Sequence, residues 1–414
     1  MKKLLVVLLA LCLTINLVAC SSKSENEGKT ENEGKVENES KEENESVSKA
    51  PEVSSDTEKV KPLKIAAVIP MTGTNKETGD MQKIALEYAL EEINNNGGIL
   101  GQPVEIEYVE AGSDQQSAIT GIQKAVNIEG VSGIIGSCFS QYVIASSDII
   151  KEAKIPCIAL GSSVNIVNQK NPYMWMCRAD DSKSLAALAK VAYETLGMRK
   201  PSCIYMTNAA GQGQHDSFVN TFTELGGTIT LDLGFDNTTT SDFSPLVTQV
   251  ANSDSDGLFC VTTGFTDGVL LTTTVAQYDL PYDKIGTPSV LSIQQDQVGD
   301  AMEGYMGIAE FVTDNGEAAT EEYCANIMNK NPGFTPTLYD ASTYDAFKLF
   351  CEAAKLSEGT DPESINEGLK LVKDMPAVLS PYSYHEDHTF ANQVYNVTIA
   401  DQNIVTMDIV KIYE

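Results

Sequence analysis

The chain has no pair of cysteines at C-x-x-C spacing, only three histidines and a single tryptophan. Zinc-ribbon and thioredoxin-type readings therefore have no frame to stand on. Basic residues are scarce as well: 28 Lys and Arg stand against 58 Asp and Glu, a net charge of −30. A field of that sign repels phosphate backbones and anionic headgroups, which argues against nucleic acid as a partner and against a basic membrane-surface role. Catalytic signatures are missing too. There is no Gly-x-Ser-x-Gly elbow, and no histidine stands in an interpretable relation to a nucleophile. Gly211-Gln212-Gly213 lacks the third glycine of a dinucleotide fingerprint. His385-Glu386-Asp387-His388 follows Pro381 and precedes a strand-like run, so it reads as a polar turn rather than a metal site. No enzymatic activity, cofactor or metal is expected.

What is present begins with an address. Lys2 and Lys3 lead into an apolar run, Leu4 to Ala19, too short to span a bilayer comfortably. The run closes in Leu17-Val18-Ala19-Cys20, which resembles the lipobox of bacterial lipoprotein signal peptides. That resemblance implies a signal peptide over residues 1–20 and acylation of Cys20, by palmitate among other chains. The protein would then be extracytoplasmic and tethered to the cell membrane. Residues 21–60 contain a near-repeat of six beginning at Glu25, Glu31, Glu37 and Glu43, and no aromatic residue. Ser, Glu, Asn and Lys dominate it, the composition of a disordered, solvated linker. Leaving out residues 1–60, with their eight lysines and twelve acids, 20 basic and 46 acidic residues remain, a net charge of −26. The acidity belongs mainly to the folded part.

A length of 414 residues exceeds what one hydrophobic core serves, so two domains are expected. From Leu63 the pattern alternates strand and helix in two blocks. Leu63 to Ile69 is a continuous apolar run, as a strand buried on both faces requires. Met81, Ile84, Ala85, Tyr88, Ala89 and Ile93 then recur on one helical face, and Gly97-Gly98 ends that helix. The same rhythm predicts strands at 104–109, 131–136, 155–160, 203–206, 228–233, 258–261 and near Ile285, with a helix after each of the first six, the second of these helices over 141–153. A repeated βαβ pattern gives two doubly wound parallel-sheet lobes of the α/β class. Helices at 317–329, 341–356 and 363–372 and strands at 393–399 and 404–412, the last two joined by a hairpin turn at Asp401-Gln402-Asn403, return into those lobes. The expected division is 63–181 with 313–378 against 182–312 with 379–414. Three crossings, near Asp180–Asp181, Val312–Asp314 and Leu379–Pro381, would make a hinge over a ligand cleft. Seven cysteines fall in this part, mostly within apolar runs, and read as buried free thiols.

Ligands of open parallel sheets collect at the carboxyl ends of strands, where helix N-termini present free N–H groups. Two such places carry hydroxyls: Ser137-Cys138-Phe139-Ser140 and Gly161-Ser162-Ser163. Together they suit a carboxylate without a positive residue, although serine also caps helices routinely.

Ile69-Pro70-Met71-Thr72-Gly73, Thr78-Gly79-Asp80, Glu92-Ile93-Asn94 with Gly97-Gly98-Ile99-Leu100-Gly101, and Ser146-Ser147-Asp148-Ile149 occur in that order. With Ala210-Gly211-Gln212-Gly213 and Gly264-Phe265, they closely resemble the leucine/isoleucine/valine-binding family, receptors of branched-chain amino-acid ABC transporters. The resemblance implies a type I periplasmic-binding-protein fold and delivery of a small amino acid to an ABC permease, without catalysis. It places the carboxylate-binding serine on Ser140, a backbone-carbonyl contact on Gly161 and a neighbouring hydroxyl on Ser163, with Ser162 beside them. A lid position falls on Thr78, and aromatic positions of the second lobe fall on Ala210 and Phe265. The family's ammonium-binding glutamate has no counterpart, because Gly286-Thr287-Pro288-Ser289 stands there. Asp181, Asp267 or Asp296 would have to supply the charge; otherwise the ligand is a carboxylate without an amino group. A sensor that presents its ligand to a signalling receptor is the other expectation.

Overall fold

The structure, a computed structural model, describes residues 60–293 and 295–413. The expected signal peptide, Cys20 and residues 21–59 of the linker lie outside the described residues, as does the side chain of Asp296.

Lys64–Ile69 (β1) has five of its six residues buried, because it lies between two parallel neighbours, Glu105–Glu110 (β2) and Gly133–Ile135 (β3). An apolar side chain at nearly every position is what a strand covered on both faces needs. At the sheet edge, β2 instead keeps only Val109 fully buried. Cys157–Ala159 (β4) and Met174–Met176 (β5) complete a five-stranded parallel sheet in the order β2-β1-β3-β4-β5. The second sheet contains Ser202–Met206 (β6), Asp232–Phe235 (β7), Leu258–Val261 (β8), Lys284–Gly286 (β9), Met306–Ala309 (β10), Gln393–Ala400 (β11) and Asn403–Lys411 (β12). Its order is β12-β11-β10-β9-β8-β6-β7, parallel from β7 to β10, with β11 and β12 added antiparallel. Two doubly wound lobes are therefore present, as the alternation predicts.

The late helices return to the first sheet. Leu338–Ser357 opens with a reciprocal capping box between Thr337 and Asp340 and buries fifteen of its twenty residues. It packs between helices Lys76–Asn95 and Pro362–Leu369, over β3. One apolar core runs on from Ile65 and Ile135 through Cys177, Ala179 and Phe311 to Phe218, on the helix Ala209–Glu224, and to Ile308 of the second sheet. The lobes thus share a spine at their crossings. All seven cysteines of the described residues are free and buried.

Several local features depart from the sequence pattern. The helix expected over 141–153 is two, Ser140–Ala145 and Ser147–Ala153, broken where the Ser146 hydroxyl donates to the Tyr142 carbonyl at 2.9 Å. A serine that bonds back to the preceding turn competes with the helical ladder. The strand expected at 228–233 begins at Asp232, because β6 sets the register, Cys203 facing Asp232 and Met206 facing Phe235. The short strand β10 carries no pattern of its own. It fits because Gly307 lets the chains close up; a Cβ there would stand 2.3 Å from the Gly286 carbonyl oxygen. The third passage also comes later than Leu379–Pro381. The Asp345 carboxylate accepts the N–H groups of Val378 and Leu379 at 2.8 and 2.9 Å and so holds that segment on the first lobe. Farther on, Thr389 bridges to Met176 of β5, and the chain enters the second sheet at Gln393.

His385 and His388 face different neighbours. His388 stacks on Trp175 with centroids 4.1 Å apart, whereas His385 stacks on Tyr413 and meets Asn392. Both serve packing.

Candidate ligand-binding cleft

The strand ends of the two sheets face a cavity of about 600 Å³. The first lobe contributes Thr78, Met81, Phe139 and Tyr142 to it, and the second contributes Asn208, Thr263, Phe265 and Asp267. Tyr339, from the start of the long returning helix, closes one side, its ring 6.4 Å from that of Phe265. Four aromatic rings thus line one space. Beside it lies a narrow recess of about 20 Å³, walled by Ser140, Ser162, Arg178, Ala210, Gln214 and Ser289 among others. A recess of that size holds about one water-sized polar group.

The fold places the predicted hydroxyls together. Ser140 opens the helix after β3, and its Oγ accepts the Ser163 N–H at 3.4 Å, which leaves the hydroxyl proton free to be donated. The Ser163 hydroxyl caps the short helix Val164–Val167 by accepting the Asn165 N–H at 3.3 Å. Gly161 stands directly behind Ser140; a Cβ at this position would lie 2.4 Å from the serine Oγ. Glycine here is what permits the serine to sit at the recess. Thr78 and Phe265 belong to the wide part, while Ser140, Ser162 and Ala210 belong to the recess. Gly161 and Ser163 form the layer behind its wall.

Three charged groups were not all legible from sequence. Arg178 and Glu310 make a buried, bidentate pair: Nε donates to Oε2 at 3.1 Å and Nη2 to Oε1 at 2.5 Å. Burial alone would lower the Arg178 pKa, but the glutamate's charge and hydrogen bonds outweigh it and raise it. Asp181, 1% exposed, receives the Gln214 amide on Oδ1 at 3.1 Å. Its Oδ2 and the Gln214 Oε1 have no hydrogen-bond partner among the described residues. Burial pushes the Asp181 carboxyl up to about 7, even though Arg178, Gln214 and the nearby Ser162 favour its charged form. Asp267, in the wide part, is also raised by burial. The stretch Gly286-Thr287-Pro288-Ser289, where the family's glutamate falls, brings Ser289 to the recess and offers no charged side chain.

Two unpaired buried acceptors behind a recess lined with hydroxyls make a receptor for a small head group with both donors and acceptors. The wide aromatic part can take an apolar or aromatic remainder. Tyr339 and Arg178 escaped the sequence reading, because each reaches the cleft only through packing of distant segments.

Residues 62–403 match the periplasmic binding protein family. The chain is 27% identical over 326 residues to the Leu/Ile/Val-binding protein homolog 1 of Brucella abortus (strain 2308), covering 77% of this chain and 85% of that protein. The fold is similar to that of a leucine-binding protein LivK from Thermotoga maritima, with TM-score 0.76, 22% identity and coverage of 84% and 99% of the two chains. A solute-binding protein of an ABC transporter from R. palustris in complex with benzoate is equally similar, with TM-score 0.77 at 17% identity over 86% and 98%. With that match over its folded part, and with two doubly wound lobes around a cleft, the chain belongs to the periplasmic binding protein family.

Proposed function

We propose that this protein is a lipid-anchored substrate-binding protein of an ABC importer. It captures a small amino acid, branched-chain or related, between its lobes and hands it to a permease in the cytoplasmic membrane. The observation that carries this reading is the recess, where the hydroxyls of Ser140 and Ser162 line the wall and the unpaired oxygens of Asp181 and Gln214 stand close by. An amino acid's carboxylate meets the former and its ammonium the latter. Contacts from both lobes then shift the population toward the closed state. No step of covalent chemistry is needed.

A second reading has its own support. The rings of Phe139, Tyr142, Phe265 and Tyr339 suit an aromatic carboxylate without an amino group, and a related structure holds benzoate.

A thermal-shift screen of the refolded full chain against the twenty amino acids and a set of aliphatic and aromatic carboxylates tests both. A ligand at 100 times its dissociation constant stabilises by about 2.7 kcal/mol. Ser140→Ala is expected to weaken the hit by about 1–3 kcal/mol, the cost of a buried group left unpaired. Unchanged affinity in calorimetry would move the site elsewhere. Silence from every compound would sink the transport reading.

Anchoring has a separate test. Metabolic palmitate labelling is expected for the natural chain and absent from Cys20→Ala; equal labelling of both would rule out the lipid on this cysteine.

A further inference from the structure

We propose that Cys203, His215 and Asp232 form a zinc site on the flank of the second lobe, outside the ligand cleft. Cys203 and Asp232 are register partners on β6 and β7, so their side chains leave the same face of the sheet. The helix Ala209–Glu224 crosses that face and lays His215 over the pair, stacked on the Tyr205 ring at 3.9 Å. One ligand atom from each of the three residues lies within 4.8 Å of the other two.

The second layer is already in place. His215 Nδ1 meets the Asp216 carboxylate at 2.9 Å, while Nε2 points to Asp232 Oδ1 at 2.8 Å. A carboxylate on the far nitrogen is what holds a metal-binding imidazole in its tautomer and orientation. Thiolate, imidazole and carboxylate with a fourth position for water suit zinc better than a hard cation. Bonds of about 2.0 Å to nitrogen and oxygen place those atoms about 3.3 Å apart in a tetrahedral site, so the carboxylate moves outward by about half an ångström. Asp232 can make that movement because its side chain is 49% exposed, which also opens a route for the ion. Binding releases the Cys203 thiol proton to solvent, and His215 donates the Nε2 lone pair as a neutral imidazole. Nothing is oxidised or reduced. Gln214, the neighbour of His215 on the same helix, lines the recess, so the metal would steady one wall of the cleft.

Cobalt(II) titration of the chelator-stripped, tag-free full chain provides the test, followed by displacement with zinc. One equivalent per chain is expected, with a thiolate-to-cobalt charge-transfer band and the visible spectrum of a tetrahedral ion. Cys203→Ala should abolish the band. Asp232→Asn, at a half-exposed position that leaves the fold intact, should weaken zinc at least ten-fold without changing thermal unfolding of the metal-free chain. No charge-transfer band, a band that survives Cys203→Ala, or unchanged zinc affinity in Asp232→Asn would each overturn the assignment.

Discussion

Glu310→Gln is expected to cost the protein about 3–5 kcal/mol of folding stability, the loss that follows when one member of a buried ion pair is removed. Arg178 and Glu310 have side chains only 5% and 2% exposed, so the arginine left behind would hold its charge away from bulk water. Glu310 does more than pair. Its Oε2 also accepts the Ala179 N–H at 3.1 Å, and Arg178 Nη1 reaches the Leu160 carbonyl at 3.4 Å. These bonds tie the first passage between lobes, just after β5, to the second, just after β10. Urea titration of Glu310→Gln measures the cost. The double replacement Arg178→Met with Glu310→Leu should recover most of it, because apolar residues of similar volume often match a buried pair in stability. A loss below about 1 kcal/mol in the single variant would show that the charge is compensated elsewhere.

This pair also marks the limit of what the sequence discloses. Arg178 and Glu310 stand 132 residues apart in the chain, and neither lies in a motif, so their relation exists only once both crossings are packed. The hydroxyl clusters were easier: they follow apolar strands and precede helical runs, and strand ends are where a parallel sheet presents its loops. Ser140 and Ser162 accordingly reach the recess. Asp181 could be named as a source of negative charge but not placed, since its direction depends on how the helix Asp181–Lys190 packs on Ala209–Glu224. The strand β10 was invisible because four residues with a glycine give no period to detect; neighbours on both sides create it. The turn between β11 and β12 was legible for the opposite reason. Asp401 and Gln402 take φ of 50° and 59°, the left-handed pair that a two-residue hairpin demands and that Asp tolerates better than most residues.

Asp181→Asn is the substitution that separates the two ligand classes. An ammonium bound at Asp181 Oδ2 pairs with a charge that is otherwise almost fully buried, and removing one partner of such a pair costs about 2–5 kcal/mol of affinity. The pH dependence carries its own sign. In the free protein the carboxyl sits near 7, above its ordinary value of 3.8, because burial disfavours the charged form. In the free state this shift therefore opposes folding as pH rises from about 4 to about 7, where the unfolded chain ionises first. A cationic head group reverses the balance, since it binds the ionised form. Amino-acid affinity should be flat above pH 7 and fall below it, by up to ten-fold per pH unit, while Asp181→Asn should be weak and flat between pH 5 and 8. A carboxylate without an amino group behaves in the opposite way. Ionised Asp181 repels it, so its affinity should rise as pH falls through 7, and Asp181→Asn should bind it as tightly or more tightly at pH 8. Calorimetry of both proteins at pH 5.5 and 8 reads the difference. Amino-acid affinity unaltered by both pH and the substitution would remove Asp181 from the site and leave Asp267, a carboxyl raised by burial that lines the cleft, as the group to replace next.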